Sequence, residues 1–441
     1  MGLIFRRHER RDGLEILGRI LKEVANLNLG LSLPRISSIL KLSVDEQCRI
    51  YDIVIEHAGS LALAPLTLII GGENRCFYER FLDPAMTVRE RLDIIREALS
   101  EYYDHQSNAA TDLRFLATSF LSFSGRLHFS SEVKGAIEAF AEYAYTEHSD
   151  EKMRSYRPRI RAAEVFDFED EDCSFSRNFW KEVGMIDECK PFYVGHKNGT
   201  ASYESLLPDT RKVLDYKMAS DKQALLDNDK FSVFVGSISY VLKILEEIKV
   251  GNLDNAILGR HGVRTISEVF IVLKYLLKHE AENANIWSEY KHYGVSKLKL
   301  ILLKAREKTR EEYFHFVEPI IDTYVNEKVW EEFVDIDLKY FDKQNVRAKS
   351  DEVGEKGLYD IMYDYDSGFV HGLWGAVRES SMLVCNNPTH EFHNIPDIHN
   401  EQKLPSVIND AENIVLRIIH LLNENYPLPD WYAEKYQKGL V

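Results

Sequence analysis

The sequence predicts a mainly α protein: an N-terminal helical domain with an irregular or small β insert, followed by a C-terminal helical bundle. Three observations predict it. Apolar residues recur three and four apart through most of the chain, the period of a helix with one buried face. Thr87-Val-Arg-Glu90 has the spacing of a capping box, in which each side chain satisfies a free amide of the first turn. The short alternating pieces and turn residues that would mark strands are confined to residues 154–210.

The elements follow in chain order. Leu14, Ile16, Leu17, Ile20, Leu21 and Val24 form one amphipathic stripe, broken at Gly30–Pro34. Asp45 is placed to cap a helix through Ile50, Ile53 and Ile55. The apolar run 60–70 holds Pro65 and is followed by Gly71-Gly72; it is too short to cross a bilayer and reads as core. Helices are expected after Thr87, then over residues 110–123 and 131–145. Residues 154–210 read as irregular, with an acidic run at 166–172 that has the character of a solvated loop and a hairpin expected around Asn198-Gly199. The second half is more regular. Helices are predicted over residues 231–248, 258–279, 284–304, 306–341 with a break near Pro319, 357–384 and 406–423, with a charged linker at 342–355. The resulting division is an N-terminal helical domain (1–150), an acidic connecting region (151–225), a helical bundle (226–425) and a tail (426–441).

Composition narrows the function. At 45% hydrophobic and 29% charged the chain can bury a large core and is not of the disordered class. The formal net charge is −16 and both halves are acidic. This is the wrong sign for a general nucleic-acid coat, although a local basic groove would suffice for RNA, and it disfavours a membrane surface. No signal peptide is recognisable at the N-terminus, and five scattered cysteines without a C-x-x-C spacing read as thiols of a reducing compartment. The expected location is cytoplasmic. His390, His393 and His399 share one loop, and His390 and His393 are spaced for chelation. With no zinc framework among the cysteines the loop reads as ordinary and polar, and neither metal nor cofactor is expected.

The candidate site lies on two helices. Tyr363, Ser367 and His371 are four apart, so on a continuous helix they share one face. Asp364, Gly368, Gly372 and Ala376 lie one register over, and two glycines inside a helix, at roughly 1 kcal/mol each, point to close approach of a second backbone. Arg264 and Glu268 are four apart on an otherwise apolar stretch, where charges are rarely buried unpaired. Together these place Arg264, Glu268, Ser367 and His371 in one polar cluster.

These residues carry a resemblance. Arg264-x-x-x-Glu268 and Tyr363-x-x-x-Ser367-x-x-x-His371-Gly372 resemble the motifs of a bacterial family of helical domains of unknown function, over about residues 225–425. That family is similar in outline to HEPN domains, many of which are metal-independent RNases of toxin and phage-defence systems. The HEPN pattern leaves four to six residues between an arginine and the histidine; no arginine stands at that spacing before His371, and Asp366 and Ser367 are found upstream of it instead. If the site is enzymatic, His371 is the proton-transfer residue, Glu268 orients it and Arg264 holds an anionic group; Ser367 is a weaker nucleophile, because a helix interior does not present a hydroxyl as an elbow does. Two functions stand open: an RNA-cleaving effector, or a protein-binding or scaffold module, able to form a homodimer, in which the cluster is structural.

Overall fold

A computed structural model describes residues 10–30, 36–70, 74–104, 107–123, 127–129, 134–162, 174–196, 203–307, 315–327, 344–390 and 393–436. The protein is mainly α, and the described residues form one small sheet of three strands. The chain divides into two compact units. The first comprises Met1–Phe192 and Val384–Ile395, the second Tyr193–Leu383 and Pro396–Val441.

In the first unit the longer helices among the described residues are α1 (Arg10–Asn26), α2 (Val44–Ala58), α3 (Arg75–Phe81), α4 (Val88–Tyr103), α5 (Asn108–Phe123), α6 (Lys134–Glu142), α7 (Met153–Ala162) and α8 (Ser174–Ile186). Thr87 and Glu90 form the expected capping box. At α2 the cap is Ser43, not Asp45: Ser43 and Glu46 form a second box. The run at 60–70 folds as two 3₁₀ turns and buries Ala62, Ala64, Pro65 and Ile70. Phe115, Tyr143, Met153 and Ile160 centre one core, and Ile50, Phe77 and Phe81 a second. A third joins Leu92 and Ile95 of α4 to Phe179 and Val183 of α8.

Residues 154–210 are more helical than their composition implies. They carry α7, α8 and the start of α9 (Leu206–Ser220), because Phe179 and Val183 at i,i+4 give α8 a buried stripe despite the turn-rich flanks. The acidic run 166–172 and the turn at Asn198-Gly199 lie outside the described residues. The strand found nearby is β1 (Pro191–Phe192). It pairs antiparallel with β2 (Met382–Cys385), Pro191 opposite Cys385 and Phe192 opposite Val384, and β3 (Asn394–Pro396) completes the order β1–β2–β3.

The second unit is built on α9, α10 (Asp229–Val250), α11 (Ile257–His279), α12 (Ile286–Glu307), α13 (Glu318–Val325) and α14 (Val346–Glu352), then a π-helical turn (Tyr359–Tyr363), α15 (Asp364–Val370), α16 (Trp374–Ser381), α17 (Ile408–Asn425) and α18 (Asp430–Tyr436). Phe234, Ile238, Val241 and Leu245 of α10 bury one face. They share a core with Val263, Ile266, Phe270 and Leu273 of α11 and with Ile414, Val415, Ile418 and Leu422 of α17. Tyr432 and Tyr436 of α18 anchor the tail in the same core. The stretch read as a charged linker contains α14, whose first turn is capped by Asn345 accepting from the Ala348 amide.

Two glycines of α11 let neighbouring atoms come close, side chains at Gly262 and backbone at Gly259. A methyl on Gly262 would sit 2.8 Å from Ile248 Cδ1 and 3.0 Å from Ile244 Cγ2, both on α10. A methyl on Gly259 would collide with the backbone carbonyl of Leu253, which cannot rotate away. Gly236 of α10 is exposed and faces open space. Gly236→Ala is therefore expected to stabilise the protein by up to about 1 kcal/mol through helix propensity. Gly259→Ala is expected to destabilise it by about 1–3 kcal/mol through overpacking. Urea midpoints of the two variants moving in the same direction would contradict this reading.

Candidate functional site

The single helix expected over 357–384 is interrupted twice. At its start the π turn Tyr359–Tyr363 inserts a wider loop of backbone, a feature often met at functional sites. At Gly372 (φ +60°) the chain enters the left-handed region, where a residue without Cβ is at no disadvantage. The Leu373 amide donates to Gly368 O and the Gly372 amide to Phe369 O, which closes α15 as a left-handed C-terminal cap. Gly372 thus ends a helix and does not admit a neighbour; nothing lies within 4 Å of a methyl placed there, and at Gly368 the nearest atom is Ala376 Cβ at 3.9 Å.

The π turn and α15 present Tyr363 and Ser367 to Arg264 of α11. The guanidinium Nε donates to Ser367 Oγ at 3.1 Å, and Nη2 donates to the Tyr363 hydroxyl at 2.6 Å. Nη1 pairs with Glu268 Oε2 at 3.3 Å. The same guanidinium lies over the Tyr363 ring, 4.6 Å from its centre, and the Tyr359 ring stacks on that of Tyr363 at 4.9 Å. The Tyr363 hydroxyl donates to Glu268 at 3.3 Å, and the Ser367 hydroxyl donates to the Tyr363 carbonyl at 2.6 Å. Tyr363 is buried. Burial, then the charge of Glu268, pushes its phenol up to about 12, so it stays neutral and able to donate.

The structure therefore joins Arg264, Glu268 and Ser367 as the spacing implied, and adds Tyr363. His371 stands apart. It is the exposed residue at the end of α15, where the turn at Gly372 carries the chain away. Chemically the cluster is self-satisfied: all three faces of the Arg264 fork are engaged, and the Ser367 proton is committed to a backbone carbonyl, an arrangement that holds a helix rather than activates a nucleophile.

One turn before Arg264 lies a second charged group that the spacing did not reveal. Arg260 is 2% exposed; it donates to Pro405 O at 2.5 Å and to Asp254 O at 3.2 Å. Its guanidinium lies 5.7 Å from the centre of the Phe369 ring. Asp366, 4% exposed, is influenced by this cation and by Asp410 and Glu379. Burial dominates and pushes the Asp366 carboxyl up to about 7, with Arg260 opposing, while burial also raises Asp410. The available signal was Arg260 four residues before Arg264 on one apolar helix.

His390 and His393 sit beside Cys385 and Cys189 in the first unit, with all four ligand atoms within 4.8 Å of one another. Two of the scattered cysteines are thus gathered beside the histidine loop. His399 is not one of this group.

These features define a helical domain in which partly buried charge joins the π turn and α15 to α11. Residues 260–390, less than a third of the chain, match a family of unknown function, DUF5677. The match takes in Arg260, Arg264, Glu268, Tyr363, Ser367 and His371. No curated protein and no solved structure matches the chain.

Asp366 makes stability depend on pH. Its folded carboxyl holds a proton up to about pH 7, whereas the ordinary value is 3.8. Folding then takes up a proton between about pH 4 and pH 7, so this group lowers stability as pH rises through that window. Asp366→Asn is expected to flatten that part of the urea-midpoint profile and to be relatively more stable at pH 8 than at pH 4. An unchanged slope would contradict the assignment.

Proposed function

We propose that the 260–390 region is a non-catalytic helical module that recognises a protein partner, with the Arg264–Glu268–Tyr363–Ser367 network serving as its structural lock. The observation that carries this reading is that each nitrogen of the Arg264 guanidinium has a partner within the chain. A guanidinium so held is not presented to a phosphate. The recognition surface is the outer side of the π turn and α15. Ile361 (72% exposed) and Tyr365 (48%) lie four apart there, flanked by the exposed carboxylates of Asp360 and Asp364. An apolar pair between carboxylates suits a basic amphipathic helix, and the net charge of −16 would steer such a segment toward it.

A second reading is favoured by one observation. His371 is exposed, and Trp374 beyond it is 63% exposed, a ring able to stack on a base. On this reading the domain is a distantly HEPN-like, metal-independent RNase of a phage-defence or toxin system, with His371 transferring the proton.

One experiment separates the two. Wild type and His371→Ala are overproduced and cellular RNA integrity is followed, while a photo-reactive residue at position 361 is used to capture what binds α15. The recognition reading predicts intact RNA in both strains and crosslinks that map to a Lys- or Arg-rich amphipathic segment, lost on Tyr365→Asp. RNA decay in wild type that disappears in His371→Ala would overturn it.

A further inference from the structure

Cys189 follows α8, Cys385 ends β2, His390 closes a 3₁₀ turn (Pro388–His390), and His393 precedes β3. All four belong to the first unit, and the segment Val384–Ile395 returns to that unit after 191 intervening residues. The Sγ of Cys189 lies 3.6 Å from His390 Nδ1 and 3.3 Å from His393 Nε2, and the Sγ of Cys385 lies 3.4 Å from His390 Nδ1. Zinc bonded tetrahedrally at its usual lengths to sulfur and nitrogen sets such edges at roughly 3.3–3.8 Å. We propose that Cys189, Cys385, His390 and His393 form a structural zinc site that fastens segment 384–395 into the first unit.

Two thiolates and two neutral imidazoles match the preference of zinc for sulfur and nitrogen and cancel its charge. Four protein ligands fill a tetrahedron, which makes the site closed and structural, with no position left for a reacting water. Cys385 is fully buried, while Cys189 is exposed, so the metal has an entry side. The two imidazole rings stack at 5.1 Å, which orients both toward the sulfurs.

The surroundings are built to hold these ligands. The Lys190 amide donates to Cys385 Sγ at 3.4 Å, a contact that stabilises a thiolate. The Cys385 amide donates to His393 O at 2.9 Å, and the Asn386 amide to Lys190 O at 2.7 Å. Asn387 and Thr389, both buried, donate to Asp187 at 2.6 and 2.9 Å. Arg96 of α4 holds the same carboxylate through Nε at 2.8 Å. The loop between Cys385 and His390 is thereby pinned to the segment that carries Cys189. This second set of contacts orients the first, as metal sites require. Because such a site does not exist in the unfolded chain, the binding free energy becomes folding free energy.

The test uses the full chain purified without chelator. Elemental analysis is expected to give about one zinc per chain. Cobalt(II) exchanged into the wild-type protein is expected to show the intense visible bands and sulfur charge-transfer absorption of a tetrahedral thiolate site. Cys189→Ser and His393→Ala are expected to lose most of the zinc, and chelation of the wild type to lower its melting temperature. The cobalt spectrum of the wild type needs no variant, so a variant that fails to fold does not blunt the test. Zinc that stays stoichiometric in both folded variants, a cobalt spectrum without sulfur bands, or a mass 2 Da low from a Cys189–Cys385 disulfide would each overturn the proposal.

Discussion

The docking of the π turn and α15 onto α11 depends on one guanidinium. Arg264 reaches from a helix whose buried residues are mostly apolar, and it gathers a carboxylate, a phenol and a hydroxyl. Each partner has a second bond within the set, so removing any one leaves another half-buried polar group unsatisfied. Such groups are costly in a medium where water cannot replace the missing partner. The planar fork matters as well as the charge, because three directions are used at once and a lysine offers only a point charge. The network therefore sets both the position of the turn and its rotation about its own axis.

Much of the fold was legible because burial imposes a period. The stripes on α10, α11 and α17 appear in the sequence as apolar residues three and four apart, and the same residues line the common core. What was not legible is where a stripe stops. Tyr363, Ser367 and His371 keep a spacing of four through a π turn and up to a cap, and spacing does not record that Gly372 adopts φ +60°. Gly368 and Gly372 meet no close neighbour; close approach falls instead to Gly259 and Gly262 on α11. The sequence also hid α8, whose short buried stripe lies between turn-rich flanks.

The candidate site was half legible for a related reason. Two charges on an apolar face demand partners, and that requirement led from Arg264 and Glu268 to Ser367. It could not distinguish Tyr363 from His371, since both lie one turn from Ser367. The break after Val370 decided it: Tyr363 is held inside and His371 is left in solvent. Asp366 escaped notice because its burial depends on packing around Arg260. The cysteine–histidine group was not legible as a framework, because short-range spacing rules do not link Cys189 to Cys385. Only the pairing of β1 with β2 brings those two thiols to the same place.

The central claim is that Arg264 and Tyr363 act as one structural unit, and a double-mutant cycle tests it most directly. Tyr363→Phe removes the hydroxyl and keeps the ring, while Arg264→Ala removes the fork. The account predicts a coupling free energy of about 1 kcal/mol or more in urea unfolding, the range of a hydrogen bond to a charged group in a partly buried site. Additivity of the two substitutions within about 0.3–0.5 kcal/mol would contradict it.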